Sequence, residues 1–165
     1  MRRMSPPRPL RPALAPLFVG FLLLACGGVV NSTERIETMN AESGQSSQAA
    51  RATAAMGIAL PASATVEFAD YTEGHDDAAR LLVKMPQADW ETMKAAPPFS
   101  QIDERAWSAD NVFHLGPDTG AWNPEAAEGI EAAQTHLAGG RQALNVGVAP
   151  PRDGMVRVYL HWFQL

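Results

Sequence analysis

The sequence predicts an α+β domain: a small antiparallel sheet of two β-hairpins with two short helices on one face. Two observations favour it. Two pairs of segments alternate apolar and polar residues around a turn-rich connector, the pattern of a β-hairpin. Between the pairs lie stretches with helical spacing or helix start signals. The 165 residues have room for one ordinary domain, which we place at residues 58–165.

The first hairpin is predicted over residues 64–85. Its first strand, residues 64–71, places Val66 and Phe68 on one face and Glu67 on the other. Residues 79–85 alternate in the same way after a polar turn. The first helix then spans residues 87–96, because Trp90, Met93 and Lys94 recur at spacings of three and four before Pro97 and Pro98 end it.

Residues 99–120 are irregularly spaced and predict a loop with at most one short strand. A second helix is predicted from Asn123 to about Ala133, since a capping amide, a proline and an acid stand in order at its start. The closing hairpin joins residues 143–149 and 155–165. Four apolar residues share one face of its last strand: Val156, Val158, Leu160 and Trp162.

Charge divides the chain into two parts. Four of the 13 basic residues and none of the 18 acidic ones lie in residues 1–25, so the rest has nine basic against 18 acidic residues. An acidic domain has no electrostatic footprint for phosphate backbones, which argues against nucleic acid as a partner. Cys26 is the one cysteine, so an intrachain disulfide and a multi-thiolate zinc site are excluded.

Residues 1–25 have the parts of an export signal: a basic stretch, an apolar stretch and small residues before a cleavage point. At its end, Leu23-Leu24-Ala25-Cys26 followed by Gly27 resembles the lipobox of bacterial lipoproteins. The resemblance implies cleavage before Cys26, a diacylglycerol on its thiol and an acyl chain on its new amine. Because Gly27 is not an aspartate, it also implies the outer membrane, with the domain facing the periplasm.

Two alternatives to the lipobox stay open. The uncharged residues 12–33 are long enough for an uncleaved membrane span, and Cys26 could follow an ordinary secretory signal by chance. Residues 26–57 are rich in small and polar side chains, which predicts a lipidated cysteine followed by a flexible tether. Residues 33–42 and 48–56 could form short helices, but they offer little apolar surface to bury.

An acidic turn is the most suggestive cluster for chemistry. Carboxylates and an imidazole crowd it and could bind a divalent cation, although the spacing matches no calcium loop; its members are Asp70, Glu73, His75, Asp76 and Asp77. We expect these side chains to be solvated or bonded to local backbone. His114, His136 and His161 are scattered, and no nucleophile or zinc-protease motif is present.

Four tryptophans complete the candidate residues: Trp90, Trp107, Trp122 and Trp162. We expect them to fill the core, with Trp122 the exception that faces a partner. Through Trp90, Trp122 and its closing strand, the domain also resembles small uncharacterised bacterial lipoproteins, a resemblance that brings no active site or cofactor. The sequence thus predicts a lipid-anchored, non-enzymatic envelope protein that binds a protein or cell-wall component. The alternative is a metal-binding module or metal-dependent enzyme that uses Asp70, His75, Asp76 and Asp77.

Overall fold

The structure, a computed structural model, describes the backbone of residues 32–165 and the side chains of residues 43–165. The predicted signal peptide and Cys26 lie outside the described residues. The helices and strands, in chain order, are α1 (Ser32–Met56), β1 (Thr65–Thr72), β2 (Ala78–Pro86), α2 (Gln87–Lys94), β3 (Glu131–Leu137), β4 (Gln142–Val148) and β5 (Met155–Gln164). None of the described helices is both long and apolar enough to cross a membrane.

The five strands form one antiparallel sheet in the order β1-β2-β5-β4-β3. The predicted α+β class and both predicted hairpins are confirmed, as is the first helix at residues 87–94. The sheet has five strands where two hairpins predict four, because β3 adds to the edge of β4. The closing strand β5 therefore lies at the centre, between β2 and β4.

The face of the sheet that carries α1 and α2 is called the inner face. Its strands contribute an unbroken set of buried apolar side chains, including the predicted Val156, Val158, Leu160 and Trp162. Trp90 and Met93 of α2 pack on this layer, and Phe99 extends it. The prediction that these four residues of β5 share one face is thus confirmed, because all four are buried in the same cluster.

One prediction for β1 is wrong, because a β-bulge interrupts its alternation. Val66 pairs with Val83 and Phe68 with Leu82, so Glu67 is an extra residue on the β1 side. Val66 consequently packs with the inner face and Phe68 with the opposite one. The sequence shows no signal for the extra residue.

The opposite, or outer, face is covered by residues 109–130, which form one 3-10 turn, Ala109–Leu115, and loops, whereas residues 99–107 pack on the inner face. Six buried residues make a second apolar cluster here: Leu82, Leu115, Trp122, Ile130, Ala132 and Tyr159. Leu115 sits directly above Gly147 of β4, where a Cβ atom would overlap Leu115 Cδ1. The absence of a side chain on Gly147 thus makes the room that Leu115 fills.

The predicted helix at residues 123–133 is wrong. Residues 124–129 form turns that include Gly129 at φ +70°, and β3 begins at Glu131. Asn123 accepts a hydrogen bond from the Tyr159 hydroxyl at 3.2 Å. Pairing with β4 supplies the backbone hydrogen bonds of β3, and burial of Ala132 and Ala133 outweighs their local preference for helix.

The predicted flexible tether is also wrong over the residues that the structure describes, because α1 occupies them. Ala52 and Met56 are buried against the sheet, and the compact unit begins at Ser32 rather than at residue 58. Arg51 lies 4.2 Å from the ring centre of Tyr71 and pairs with Glu73 at 2.7 Å. A narrow stripe of small side chains is enough to seat the helix, since it lets the backbone approach the sheet closely.

Candidate functional site

A row of polar side chains crosses all five strands on the outer face. Strand alternation and register place one residue of each strand in it, from β1 to β3: Asp70, Arg80, His161, Asn145 and Gln134. We call this set the polar row. An unbroken polar line across a sheet is unusual next to an apolar core, because buried polar groups cost free energy unless they are hydrogen-bonded.

The β1 end of the row is held by a guanidinium. Arg80 donates to the Asp70 carboxylate at 2.8 Å and to the Thr119 hydroxyl at 3.0 Å. Its charge also lies 5.7 Å from the ring centre of Phe68 and 5.8 Å from that of Trp122. Arg80 therefore joins the sheet, the apolar cluster and the covering segment at one point.

The β3 end of the row is held by an amide. Asn145 is only 1% exposed. Its amide nitrogen donates to the backbone carbonyl of His114 at 2.6 Å, and its amide oxygen accepts from Gln134 at 2.7 Å. The covering segment is thus hydrogen-bonded to this end of the row as well.

His161 stands at the middle of the row. Its Nδ1 lies 3.1 Å from the backbone oxygen of His114. Because a carbonyl only accepts, Nδ1 carries the proton and Nε2 is the acceptor of the neutral ring. Burial lowers the pKa of His161, the nearby charge of Arg80 lowers it further, and the bond to His114 acts in the opposite direction. The imidazole is therefore neutral at neutral pH.

A small cavity of about 230 Å³ opens beside the polar row. Asp70, Arg80 and His161 line it together with Thr72 and the backbone around Gly116. It offers a carboxylate, a guanidinium and an imidazole within one polar pocket. The arrangement suits hydrogen bonding to a polar group of a ligand or partner.

Beyond the polar row, the next row of the outer face has less cover. It contains Thr72, Ala78, Phe163, Ala143 and His136, from β1 to β3. We call this set the open row. Phe113, which is 67% exposed, has its ring centre 3.8 Å from that of His114, the residue whose carbonyl bonds to the polar row. Phe163 stacks loosely on His161 at 5.2 Å, so aromatic rings border this part of the face.

The open row ends at the edge strand β3. Every second residue of an antiparallel edge strand turns its backbone N–H and C=O away from the sheet. At Ala132, both groups bond to Ser108 at 3.0 Å. Among the described residues, no backbone hydrogen bond engages the outward groups of the next two such residues, Gln134 and His136. The last half of β3 is therefore an unpaired edge.

The structure separates the residues of the predicted acidic turn. Asp70 pairs with Arg80, and Asp77 accepts from the Tyr71 hydroxyl at 3.0 Å and the Gly74 N–H at 2.9 Å. Glu73 pairs with Arg51, and the fully exposed His75 contacts Asp76 at 3.2 Å. Within the part of the chain that the structure describes, no three His, Cys, Asp or Glu side chains form a group that could hold a metal.

The sequence did not predict where two features lie: the histidines and Trp122. The fold brings the His114 backbone against His161 and puts His136 on the same face, which only the strand register reveals. Trp122, predicted to face a partner, is fully buried and donates from Nε1 to the Leu115 carbonyl at 3.2 Å. The expected exposure of Trp122 is wrong because the covering segment folds its ring inward.

Comparison with protein-family models, with curated proteins and with solved structures finds no match to this chain. A functional proposal therefore has to come from its own residues and their geometry. The features that offer such an argument are the polar row, the open row with Phe113, and the unpaired half of β3.

Proposed function

We propose that the chain is a lipid-anchored cell-envelope protein whose domain is a non-enzymatic module that binds another envelope protein. The observation that carries the binding role is the continuity between the unpaired edge of β3 and the open row. Gln134 and His136 carry outward backbone groups that no backbone hydrogen bond engages, and His136 is the β3 member of the open row, which also contains Phe163. In strand addition, an extended segment of a partner hydrogen-bonds to an exposed sheet edge, and its alternate side chains contact the adjoining surface of the domain.

A protein is a better fit to this surface than a saccharide, because the unpaired groups of β3 are backbone donors and acceptors spaced for another strand. A partner segment in extended conformation would hydrogen-bond to Gln134 and His136. Its alternate side chains would lie on the outer face and continue the open row beyond His136. At the other outward position, Gln134, the partner would adjoin the β3 end of the polar row.

The proposed membrane attachment depends on Cys26. In this proposal the signal is cleaved before Cys26, whose lipids hold the domain at the outer membrane on the periplasmic side. Metabolic labelling with a palmitate analogue tests this. Wild-type protein should be labelled and Cys26→Ala should not, whereas label that persists in Cys26→Ala would remove the anchor from the proposal.

The proposed binding surface can be tested in cells with a photo-reactive phenylalanine analogue in place of Phe113. We expect one discrete cross-linked species from this position and none from the exposed control position Gln101, whose neighbours Phe99 and Ile102 pack on the inner face. The species should persist in His136→Ala. It should disappear in His136→Pro, since proline removes the outward N–H that a partner strand needs.

The two His136 variants form a matched pair, because both lose the imidazole and only one loses the backbone donor. Equal melting temperatures of the two variants confirm that His136→Pro is folded. Equal cross-linking by the two variants would show that the edge of β3 is not used. Equal cross-linking from Phe113 and Gln101 would show that the open row is not the contact surface.

A further inference from the structure

We propose that a second cavity, at the other end of the outer face, binds a small organic anion: a carboxylate or phosphate that carries an apolar group. The cavity has a volume of about 410 Å³ and lies between the ends of β2 and β5, the turns after Asn123 and the β4–β5 connector. It is separate from the open row, so the proposal goes beyond the protein-binding role. Its ligand class follows from charge, register and wall composition.

Basic residues are concentrated in this cavity. Residues 26–165 contain nine basic and 18 acidic side chains. Three of the nine basic residues line the cavity, namely Lys84, Arg152 and Arg157, against two of the 18 acidic ones, Glu128 and Asp153. The balance of charge in the cavity is thus the reverse of that in the chain as a whole, which favours an anionic occupant.

Two of these cations stand directly opposite each other in the sheet. Lys84 of β2 pairs in register with Arg157 of β5, and like charges at paired positions destabilise a sheet. The bulged Glu67 neutralises Arg157 alone, through contacts of 2.7 and 3.3 Å between its carboxylate and the guanidinium. Among the described residues, no carboxylate forms an ion pair with Lys84. An anion in the cavity would supply the missing partner.

The third cation can reach the same ligand. Arg152 pairs with Glu128 at 3.3 Å, but both side chains are more than three-quarters exposed. An exposed pair of this kind has little net stability, so Arg152 is free to turn toward an anion. Two arginines and a lysine around one cavity match the donors that bind carboxylate and phosphate groups.

Part of the cavity wall is apolar, beside its charged residues. Ala126, Ala127, Ala149 and Pro150 form one side. The Tyr159 ring is 2% exposed at the floor, with its hydroxyl bonded to Asn123 at 3.2 Å. A free inorganic ion would leave these walls in contact with water, whereas an anion with a short alkyl or aromatic group would cover them. The ligand is therefore amphipathic.

The test uses the full chain reconstituted in phosphatidylcholine nanodiscs, titrated by calorimetry with hexyl phosphate, inorganic phosphate and hexylamine. We expect hexyl phosphate to bind more tightly than inorganic phosphate and hexylamine not to bind. Lys84→Gln should weaken hexyl phosphate binding about tenfold, the effect of one charge-assisted hydrogen bond. Lys84→Arg should retain binding, and Lys94→Gln, which removes a cation outside this cavity, should have no effect.

The ligand could be a soluble metabolite or a lipid headgroup, and nanodiscs that contain phosphatidylglycerol distinguish these sources. If the headgroup occupies the cavity, these nanodiscs weaken hexyl phosphate binding by wild type. If they leave it unchanged, the occupant is a soluble anion, and either result supports the proposed chemistry. Failure of hexyl phosphate to bind wild type, or equal binding by Lys84→Gln, would overturn it. Arg152→Gln, at an exposed position, provides a second variant whose folding is not in question.

Discussion

The two faces of the sheet are built on different principles. The inner face is apolar from β1 to β4, and two helices cover it: α1 packs on it through Ala52 and Met56, and α2 through Trp90 and Met93. The outer face carries in succession the open row, the polar row, an apolar cluster and the charged side chains of Glu67, Lys84 and Arg157, which we call the charged row. A segment without α-helix covers its middle. A face that is apolar throughout can be covered by a helix that packs a few apolar or small side chains on it. A face on which polar and apolar rows alternate must be covered through specific hydrogen bonds and packing contacts. Polar groups between those contacts remain accessible.

The largest expected effect tests whether the apolar cluster of the outer face contributes as much to the free energy of unfolding as the inner face does. Trp122→Ala should lower the free energy of unfolding by about 3–5 kcal/mol, the usual cost for a buried tryptophan. Trp162→Ala on the inner face should cost a similar amount, since both residues are at most 2% exposed. Urea unfolding of both variants measures this. A loss below about 1 kcal/mol for Trp122→Ala would reduce the outer covering to a loosely attached loop.

A smaller effect is expected in the polar row. Asn145→Ala should cost about 1–3 kcal/mol, because the His114 carbonyl and the Gln134 amide lose their buried partner. Asn145→Leu restores most of the volume but not the hydrogen bonds, so it should remain less stable than wild type. If Asn145→Leu has the same urea midpoint as wild type, the hydrogen bonds of Asn145 contribute no net stability, and the polar row does not distinguish the two faces energetically.

The polar row should also make stability depend on pH. Because burial lowers the pKa of folded His161 below its ordinary 6.5, its contribution is complete above that value. As the pH falls through 6.5, the unfolded chain binds the proton first, and stability declines until the folded ring is also protonated. Wild type should therefore lose more stability than His161→Gln between about pH 7.5 and about pH 5.5. Equal losses, measured by urea unfolding, would contradict the buried neutral ring.

The charged row should give the smallest effect. Glu67→Gln removes the partner of Arg157, whose pKa is raised by the hydrogen bond to Glu67. Arg157 is 54% exposed, so we expect a loss of only about 0.2–1 kcal/mol, decreasing with added salt. Thermal unfolding at low and high ionic strength measures it. A loss above about 2 kcal/mol, or one that salt does not change, would mean that the outer charges are buried more deeply than their exposure indicates.

The same division explains which parts of the fold could be predicted from sequence. Both hairpins and α2 have strong local patterns, and these agree with their tertiary environment. The helix expected from Asn123 has good local signals, yet pairing with β4 overrides them and produces β3. α1 could not be predicted to dock, because alanines at 49 and 52 give no apolar signal until the sheet provides a surface for them.

The candidate site was beyond prediction for a related reason. Asp70, Arg80 and His161 are 10 or more positions apart in sequence, and only the register of three strands aligns them. The acidic turn was visible because its residues are close together in sequence, but neighbouring charges at a hairpin turn point in different directions. Lys84 and Arg157 likewise become neighbours only through β2–β5 pairing. Strand order, rather than local composition, assembles the outer face.

The contact between Leu115 and Gly147 has a consequence for variation among relatives of this chain. Because Leu115 occupies the space where a side chain at position 147 would stand, the two positions cannot enlarge independently. Homologues should therefore keep the pair unchanged, or replace Leu115 by a smaller residue wherever position 147 acquires a side chain. Such paired substitution would mark, in sequences alone, every relative that keeps the same cover over its sheet.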